Sequence, residues 1–508
     1  MAPADARLPV TELLASLSLA NDLGTGQPLG HGLSTSLLAV KVANELGCDA
    51  EQVRHVQQVA LIRFLGCTSD ASDTARMAGG DELAFMTAFA PAHLGSTTEA
   101  LRAMVGAVGV GQPISRRARL IAAAMVNPAS ESGGLAAHCE VGAMLARRLG
   151  LDLEVITALD HAYERWDGRG EPGGLEGEEI PLETRIAVVA RDADLFARSG
   201  QDPSEILEGR RGRAYDPGVV DVIDRIRPEY READWDDVME AEPPPSKHVE
   251  DIDGALGAVA DYVDLKSPWT RGHSPRVSDL AEEAARLAGL EEIDRRSLRR
   301  AGLVHDLGRV GVPSGIWDKP GPLATAEWER VRLHPYLTDR VLSRCESLAG
   351  LGELASSHHE RGDGSGYHRR LRHDQITALG GLLAAADVVA ALTSDRPHRG
   401  AMGLDEAAAM MKTDVAEGRL DAEAAARVLE AAGAEQELPR EPNPGGLTDR
   451  EVEVLSLIAK GKTNRQTGEE LFISTKTVGR HVENIYAKIG VSTRAGAALY
   501  AMAHRLLR

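Results

Sequence analysis

Histidine and aspartate gather in one stretch of this 508-residue chain. Half of its sixteen histidines lie between positions 273 and 398. In order, the motifs are His273 in TRGHSPRV, His305-Asp306 in LVHDLGRVGVP, His334 in LHPY, His358-His359 in SSHHERGDGSGYH, and Asp387 in LAAADVV. Imidazole nitrogens combined with carboxylate oxygens suit Fe, Mn, Co or Zn, and these motifs contain no cysteine, which argues against a thiolate zinc site. Asp306 has two oxygens and can bridge two ions while the adjacent His305 fixes one of them. Such a pair of ions activates a water and neutralises the oxygens of a phosphate ester as it is displaced. A lone histidine on an apolar helix face is usually a core residue. Five histidine positions with HD and HHE in one region exceed that explanation, although a structural or sensory metal remains the alternative to a catalytic one.

The elements that must carry these residues are helices. Ala and Leu are abundant, aromatics make up 4%, and no run of alternating strand residues stands out. After His273, Val277, Leu280, Ala281, Ala284 and Leu287 recur at helical spacing. Ile293, Leu298, Ala301 and Val304 lead into His305-Asp306, with Gly308 placed to cap that helix. Residues 405–433 predict two further helices. The expected fold class is all-α.

Earlier in the chain the same pattern recurs. His31 in GHGLSTS precedes Arg63 by the interval that separates His273 from His305. His138 matches His334, and DHAYERWDGRGEP at 160–172 matches SHHERGDGSGYH, with a 46-residue insertion between 64 and 137 in the first copy. Repeated spacing at so many points predicts two related domains. At the positions of His305, Asp306, His358, His359 and Asp387 the first copy has Arg63, Phe64, Ala162, Tyr163 and Arg191. Arginine at two ligand positions repels cations, so the first scaffold is expected to hold no such centre. His161, Asp192 and Asp194 could form a different site, but ordinary placement explains them equally well. Two proline-bearing stretches, 229–250 and 437–446, read as stiff linkers.

Composition restricts the function classes. At 43% hydrophobic and 26% charged, the chain reads as an ordinary globular protein of three or four domains. A net charge of −20 disfavours non-specific nucleic-acid binding by the whole chain. Residues 446–508, however, carry +4, leaving −24 on the remainder. Cys48, Cys67, Cys139 and Cys345 are scattered without a CxxC pair, which suits a reducing compartment. The N-terminus lacks a signal-peptide pattern and no apolar run approaches a bilayer span, so the expectation is a soluble, cytoplasmic protein without a membrane partner.

The order and spacing of HSPRV, HDLGRVGVP, HP, HHERGDGSGYH and ADVVAALTSDRPHR resemble the HD-GYP phosphodiesterases, helical metal-dependent enzymes that hydrolyse cyclic di-GMP. The resemblance covers about 255–433, and the first copy, roughly 25–200, looks like a degenerate HD domain. It implies that His273, His305, Asp306 and Asp387 hold one ion and His334, His358 and His359 the second, with Asp306 bridging. Fe or Mn would come first, with Zn, Co or Ni as alternatives. Asp306 and Arg309 would be the catalytic pair, Arg309 standing where the family usually has lysine. Arg309, Gly366, Tyr367 and Arg396 would meet the substrate. Three positions depart from the family pattern: the GYP tripeptide reads Gly366-Tyr367-His368, Thr338 follows HP where glycine is common, and Trp269 stands where members with a third metal have glutamate.

The tail has three helix starts in succession. Thr448-x-x-Glu451 and Thr463-x-x-Gln466 form capping boxes, and Ser474 is an N-cap. In the third helix Val478, Val482, Ile485 and Ile489 share one face and Gly490 ends it. A helix pair followed by a basic helix is the geometry that enters the DNA major groove. The segment LTDREVEVLSLIAKGKTNRQTGEELFISTKTVGRHVENIYAKIGVSTRAGAA resembles LuxR-type helix-turn-helix domains. That resemblance implies that Lys476, Arg480 and Glu483 read bases and that Thr477, Asn484 and Lys488 hold phosphates.

Together these readings predict a degenerate HD-like domain at 1–240, an HD-GYP-like phosphohydrolase domain at 250–435 and a DNA-binding domain at 446–508. The expected function is a transcriptional regulator in which hydrolysis of cyclic di-GMP or a related nucleotide is coupled to binding of double-stranded DNA, with the chain as a homodimer. The alternative is a nucleotide-sensing module of the same regulator without useful turnover.

Overall fold

A chain rich in alanine and leucine favours helix at nearly every exposed and buried position, and the computed structural model, which describes residues 7–92, 96–126, 134–434 and 443–507, is all-α. Its only β-type pairings among the described residues are isolated bridges. Contacts divide the chain at Ala255/Leu256 into two units.

The first unit opens with α1 (Val10–Thr25), α2 (His31–Glu45) and α3 (Ala50–Ile62). The insertion then forms four helices, α4 (Ala71–Ala78), α5 (Glu82–Phe89), α6 (Thr97–Ala107) and α7 (Ile114–Val126). These have a small core of their own, built on Ala78, Phe85, Ala107 and Val108. The main bundle resumes with α8 (Leu135–Arg148), α9 (Leu153–Asp160) and α10 (Leu182–Arg198), followed by α11 (Pro203–Arg210), α12 (Pro217–Ile226) and α13 (Trp235–Glu240). Helix α2 packs on α3 and α10, and α8 on α9. Local chemistry sets many of the starts: Asp49 and Gln52 form a capping box at α3, and Pro203 and Pro217 occupy first-turn positions where a missing N–H costs nothing.

The second unit repeats this order. Helix α14 (Ile252–Asp264) leads into α15 (His273–Leu287) and α16 (Glu292–Val304), whose first and last residues lie 242 positions beyond those of α2 and α3. After α17 (Ser314–Trp317) and α18 (Thr325–Arg332) come α19 (His334–Leu342), α20 (Glu346–Ala355) and α21 (Ala378–Leu392). Helix α21 starts 196 positions after α10. The unit then adds α22 (Leu404–Ala416) and α23 (Ala422–Ala434), the two helices expected near 405–433. Helices α15, α21 and α23 pack on one another around fully buried Val277, Leu280, Leu383, Val389 and Val428.

Two sequence expectations change here. Gly308 does not cap α16, because that helix ends at His305 and Gly308 sits inside a 3-10 turn, Leu307–Gly311. A Cβ at Gly308 would lie 2.0 Å from the His334 carbonyl oxygen, so glycine is required there for close approach. The stretch 229–250 is not a free spacer either. Val238 is fully buried and its carbonyl accepts from Gln57, while Arg54 donates to the carbonyls of Pro243 and Pro245. Prolines keep their carbonyls as acceptors, and buried donors on α3 claim them. Of the second proposed linker, residues 437–442 lie outside the described residues.

The C-terminal module comprises α24 (Asp449–Ala459), α25 (Asn464–Leu471), α26 (Thr475–Ile489) and α27 (Arg494–Ala503). Both capping boxes form, and Ser474 accepts from the Thr477 amide. The module packs against α15 and the loop before it. Arg271 donates to the Ala459 carbonyl at the end of α24, and Arg505 pairs with Asp279 at 2.9 Å. A Cβ at Gly461 would sit 3.2 Å from the Pro268 side chain.

Candidate metal centre

Every expected metal ligand of the second unit lies on or at the end of a helix that faces one buried point. His273 begins α15, His305 and Asp306 close α16, His334 begins α19, His358 and His359 follow α20, and Asp387 sits in the middle of α21. Three of the imidazoles are locked in the same way. Nδ1 of His305, His334 and His358 lies 2.7, 2.6 and 2.7 Å from the carbonyl three residues earlier. A carbonyl can only accept, so each ring carries its proton on Nδ1 and turns a bare Nε2 lone pair inward.

The inward atoms converge. His273 Nε2 lies 3.1 Å from Asp387 Oδ1. Asp306 divides its oxygens between the two sets: Oδ2 is 3.4 Å from His305 and 3.8 Å from His273, whereas Oδ1 is 3.3 Å from His334 and 3.6 Å from His358. His359 Nδ1 stands 3.8 Å from Asp387 Oδ2. The candidate groupings of donor atoms are accordingly His273 with His305 and Asp387, His334 with His358 and His359, and His305 with Asp306 and His358.

These residues fit a pair of divalent ions. His334 Nε2 and His358 Nε2 face each other at 3.0 Å, yet both protons are committed to carbonyls, so two lone pairs oppose each other without a hydrogen between them. His305 Nε2 is buried with no partner. A cation between the rings resolves both conflicts. Burial pushes two of the imidazoles towards the neutral form, His273 to about 4 and His358 to about 3. Burial opposes ionisation of Asp306, but the Arg309 guanidinium beside it holds its carboxyl well below the usual range. Asp387 is likewise held low against its burial by His273 and His359. Neutral imidazoles with ionised carboxylates are the donor set a divalent transition ion takes.

Around this centre stand the expected substrate groups. Arg309 donates to Asp306 Oδ2 at 2.8 Å, and its guanidinium lies 3.8 Å from the centre of the Trp317 ring. Tyr367 lays its ring 4.5 Å from that of His359. Arg396 bonds the Trp269 carbonyl at 3.2 Å, and its charge acts on His273. Gly366 is buried, and a Cβ there would lie 2.6 Å from the Arg361 amide nitrogen. At His368 the backbone has φ +85°, which proline's ring forbids, so this chain path does not admit proline as the third residue of the tripeptide. Thr338 is fully buried. Its hydroxyl donates to the His305 carbonyl and accepts from the Gly308 amide, tying α19 to the HD turn, a role that glycine cannot fill.

Sequence reasoning missed two groups that shape the site. Asp264, nine residues before His273, accepts from the Ser274 amide and hydroxyl at 2.9 and 2.8 Å and so fixes the first turn of α15. Glu360 accepts from the Arg369 and Leu371 amides at 2.8 and 2.7 Å and clasps the loop that carries Tyr367. The repeat itself marks both positions, because Asp22 stands nine residues before His31 and accepts from Gly30 and Gly32. Glu164 likewise accepts from Gly173 and Leu175.

In the first unit the matched positions hold other chemistry. His31 bonds Asp194 at 2.7 Å, and His138 bonds Asp70 at 2.8 Å. His161 meets Glu164, Asp192 meets Arg191 and Tyr215, and Asp194 meets Arg198, so these three form no common cluster. The candidate metal grouping found there among the described residues, Glu51, His55 and Asp152, lies elsewhere, and its Asp152 is already engaged by Lys247.

On α26, Lys476, Thr477, Arg480, Glu483, Asn484 and Lys488 are all exposed, while Val478 and Ile485 are buried. Val482 and Ile489 are half-buried. Lys488 already pairs with Glu451 at 2.6 Å. Among the described residues no helix is long and apolar enough to cross a membrane.

Comparison with known proteins agrees with this geometry. The HD domain family matches residues 116–219 and 257–424, and the luxR family of bacterial regulatory proteins matches 446–501. The chain is 30% identical over 428 residues to 3′3′-cGAMP-specific phosphodiesterase 3 of Vibrio cholerae, covering 82% of this chain and 93% of that protein. It is 37% identical over 154 residues to a cyclic di-GMP phosphodiesterase of Thermotoga maritima, covering 30% and 41% respectively. A crystal structure of a cyclic GMP-AMP-specific phosphodiesterase from V. cholerae aligns over 85% of this chain and 99% of that one, with TM-score 0.57 and 27% identity. The chain therefore belongs to the HD family of metal-dependent phosphohydrolases, in a form that joins an HD-type phosphodiesterase domain to a LuxR-type regulatory domain.

Proposed function

We propose that the second HD unit hydrolyses a 3′,5′-linked cyclic dinucleotide, cyclic di-GMP or 3′3′-cyclic GMP-AMP, and that its state alters the binding of double-stranded DNA by α26. The observation that carries this reading is the division of Asp306, one oxygen towards His273 and His305 and the other towards His334 and His358. The names of the relatives support the substrate class, since both describe phosphodiesterases for such nucleotides. The ions, Fe or Mn first and Zn, Co or Ni as alternatives, would be held by His273, His305, Asp306 and Asp387 on one side and His334, His358 and His359 on the other. When bound, they supply the Lewis acidity for attack on phosphorus.

The chain's own residues do the rest. Arg309, clamped between Asp306 and Trp317, offers its free donors to a phosphate oxygen. Tyr367 presents a ring face for a base, and Gly366 lets the backbone pass without a side chain. Arg396 adds a second positive charge beside His273. In the regulatory module Lys476, Arg480 and Glu483 face outward to read bases, with Thr477 and Asn484 placed for phosphates. Lys488 serves DNA only by leaving Glu451. A single module of this size makes few phosphate contacts, so we assign DNA binding to a homodimer on paired half-sites.

Incubating the Mn-loaded or Fe-loaded chain with each cyclic dinucleotide and resolving linear products tests the reading. Accumulation of linear dinucleotide or mononucleotide is expected. A second reading, a nucleotide sensor without turnover, draws on the backbone at His368. Tight binding of an uncleaved dinucleotide by the metal-loaded chain would select it.

A further inference from the structure

The first HD unit keeps a cavity where the second has its metal centre. It encloses about 460 Å³, within the range of small-molecule sites. Its lining includes Arg63, Phe64, His138, Tyr163 and Arg191, the counterparts of His305, Asp306, His334, His359 and Asp387. Metal ligands have thus given way to guanidinium groups and rings. We propose that this cavity is a receptor site for a nucleotide, a phosphate ester joined to an aromatic base, which it binds without hydrolysing.

Charge is the first support. The Arg63 guanidinium donates to the Ala162 carbonyl at 2.7 Å, and among the described residues no carboxylate lies within ion-pair distance of it. Nε of Arg63, Nε of Arg191 and one terminal nitrogen of Arg165 are buried without a partner. Burial disfavours the charge on Arg63, and the nearby Arg191 disfavours it further. Burial opposes protonation of His138, but Asp70 at 2.8 Å holds it well above the ordinary histidine value, so the two form an ion pair in the cavity wall and leave the excess charge to the arginines. Asp192 offsets part of this, engaged as it is by Arg191 and by the Tyr215 hydroxyl. An anion with several acceptor oxygens relieves the like-charge contact between the two guanidinium groups. In the second unit two cations would draw the same phosphate. Here fixed guanidinium groups replace them, and without an ion no nucleophile is generated.

The walls are the second support. Phe64 lies 5.0 Å from the Arg63 guanidinium and 5.4 Å from that of Arg191. The insertion, which has no counterpart in the second unit, contributes Phe85 and Phe89 from α5, with their rings stacked at 5.2 Å. Aromatic faces beside guanidinium groups are the surface on which a base stacks. Arg169, exposed at the cavity, provides a charge that can be reversed without disturbing the core.

The test uses the full chain stripped of metal by a chelator, so that nothing is hydrolysed, and isothermal titration with cyclic di-GMP, 3′3′-cyclic GMP-AMP, GMP and AMP as separate probes. At least one of these nucleotides should bind. Its affinity should fall about tenfold or more in both Arg63→Met and Arg169→Glu, as expected for losing a charge-assisted contact, and should survive Asp306→Ala. Arg169→Glu settles the matter even where Arg63→Met does not fold. Inorganic phosphate should compete only weakly, and equal competition by phosphate would overturn the nucleotide assignment. Absence of binding by any probe at millimolar concentration, or unchanged affinity in Arg169→Glu, would overturn the site itself.

Discussion

At position 66 and again at position 308 the backbone runs so close to a histidine carbonyl that only glycine fits. A Cβ would stand 1.9 Å from the oxygen of His138 in the first unit and 2.0 Å from that of His334 in the second. The same pairing of contacts recurs at Gly170 and Gly366, at Glu164 and Glu360, and at Asp22 and Asp264. The two HD repeats therefore share their glycines and their buried carboxylate clasps. They part at the side chains aimed into the centre, where Arg63 stands for His305 and Arg191 for Asp387. Packing constraints are the same in both, because a clash with backbone is penalised whatever the cavity holds.

The comparison breaks most decisively at the metal. Asp306→Ala removes the proposed bridging ligand and should lower hydrolysis at least about a thousandfold, on the scale of losing the metal's contribution. Elemental analysis of the chain carrying Asp306→Ala together with His334→Ala should show the stoichiometric metal gone. Metal retained in that double variant would place ions in the first repeat and end the distinction between the two.

The shared glycines give the next largest effect. Gly66→Ala and Gly308→Ala should each destabilise their own unit by about 2–3 kcal/mol through overpacking, read by chemical denaturation. Only Gly308→Ala should also weaken metal binding, since the carbonyl it displaces belongs to His334. Equal metal affinity in both variants would separate the packing from the site.

The smallest effect concerns the aspartates that fix α2 and α15. Burial raises Asp22 to about 8 and Asp264 to about 7, against an ordinary value near 4. A carboxyl whose folded value is raised binds more protons folded than unfolded, so its contribution is full below about pH 4 and is lost as pH rises through the folded value. Asp22→Asn and Asp264→Asn keep an acceptor for the amide donors and remove the titration. Between pH 5 and 8.5 the melting temperature of the parent chain should fall relative to either variant, the Asp264 difference levelling off earlier. Parallel curves would show that these carboxyls ionise alike in the folded and unfolded chain.

Much of the candidate centre was legible in the sequence because metal chemistry restricts residue type, and because the order and spacing of the motifs resemble a known family. His273, His305, Asp306, His334, His358, His359 and Asp387 stand out by residue type, and the resemblance to the HD-GYP motifs supplied their division into two sets. The starts of α24, α25 and α26 were legible because a capping residue and its partner lie three positions apart. Gly308 misled because a glycine after a helix looks like a cap, and the carbonyl that excludes a side chain there comes from 26 residues further on. The stretch 229–250 misled for a similar reason, since Arg54 and Gln57, which claim its carbonyls, lie far away in sequence. Asp264 and Glu360 were silent singly, and only alignment of the repeats would have drawn them out.

The five residues from Pro268 to Gly272 answer to two neighbours. On one side the segment ends at His273, the first of the proposed metal ligands, and the Trp269 carbonyl receives Arg396. On the other, Arg271 holds the last carbonyl of α24, Pro268 fills the space beside Gly461, and Gly272 lies against Leu507. A loop this short has no slack with which to absorb a displacement at one end. Its tolerance to substitution is thus set by whichever neighbour is stricter at each position. Screened separately for turnover and for promoter occupancy, changes at 268–272 are expected to yield the same intolerant positions in both screens, so that the gene cannot adjust one property there without altering the other.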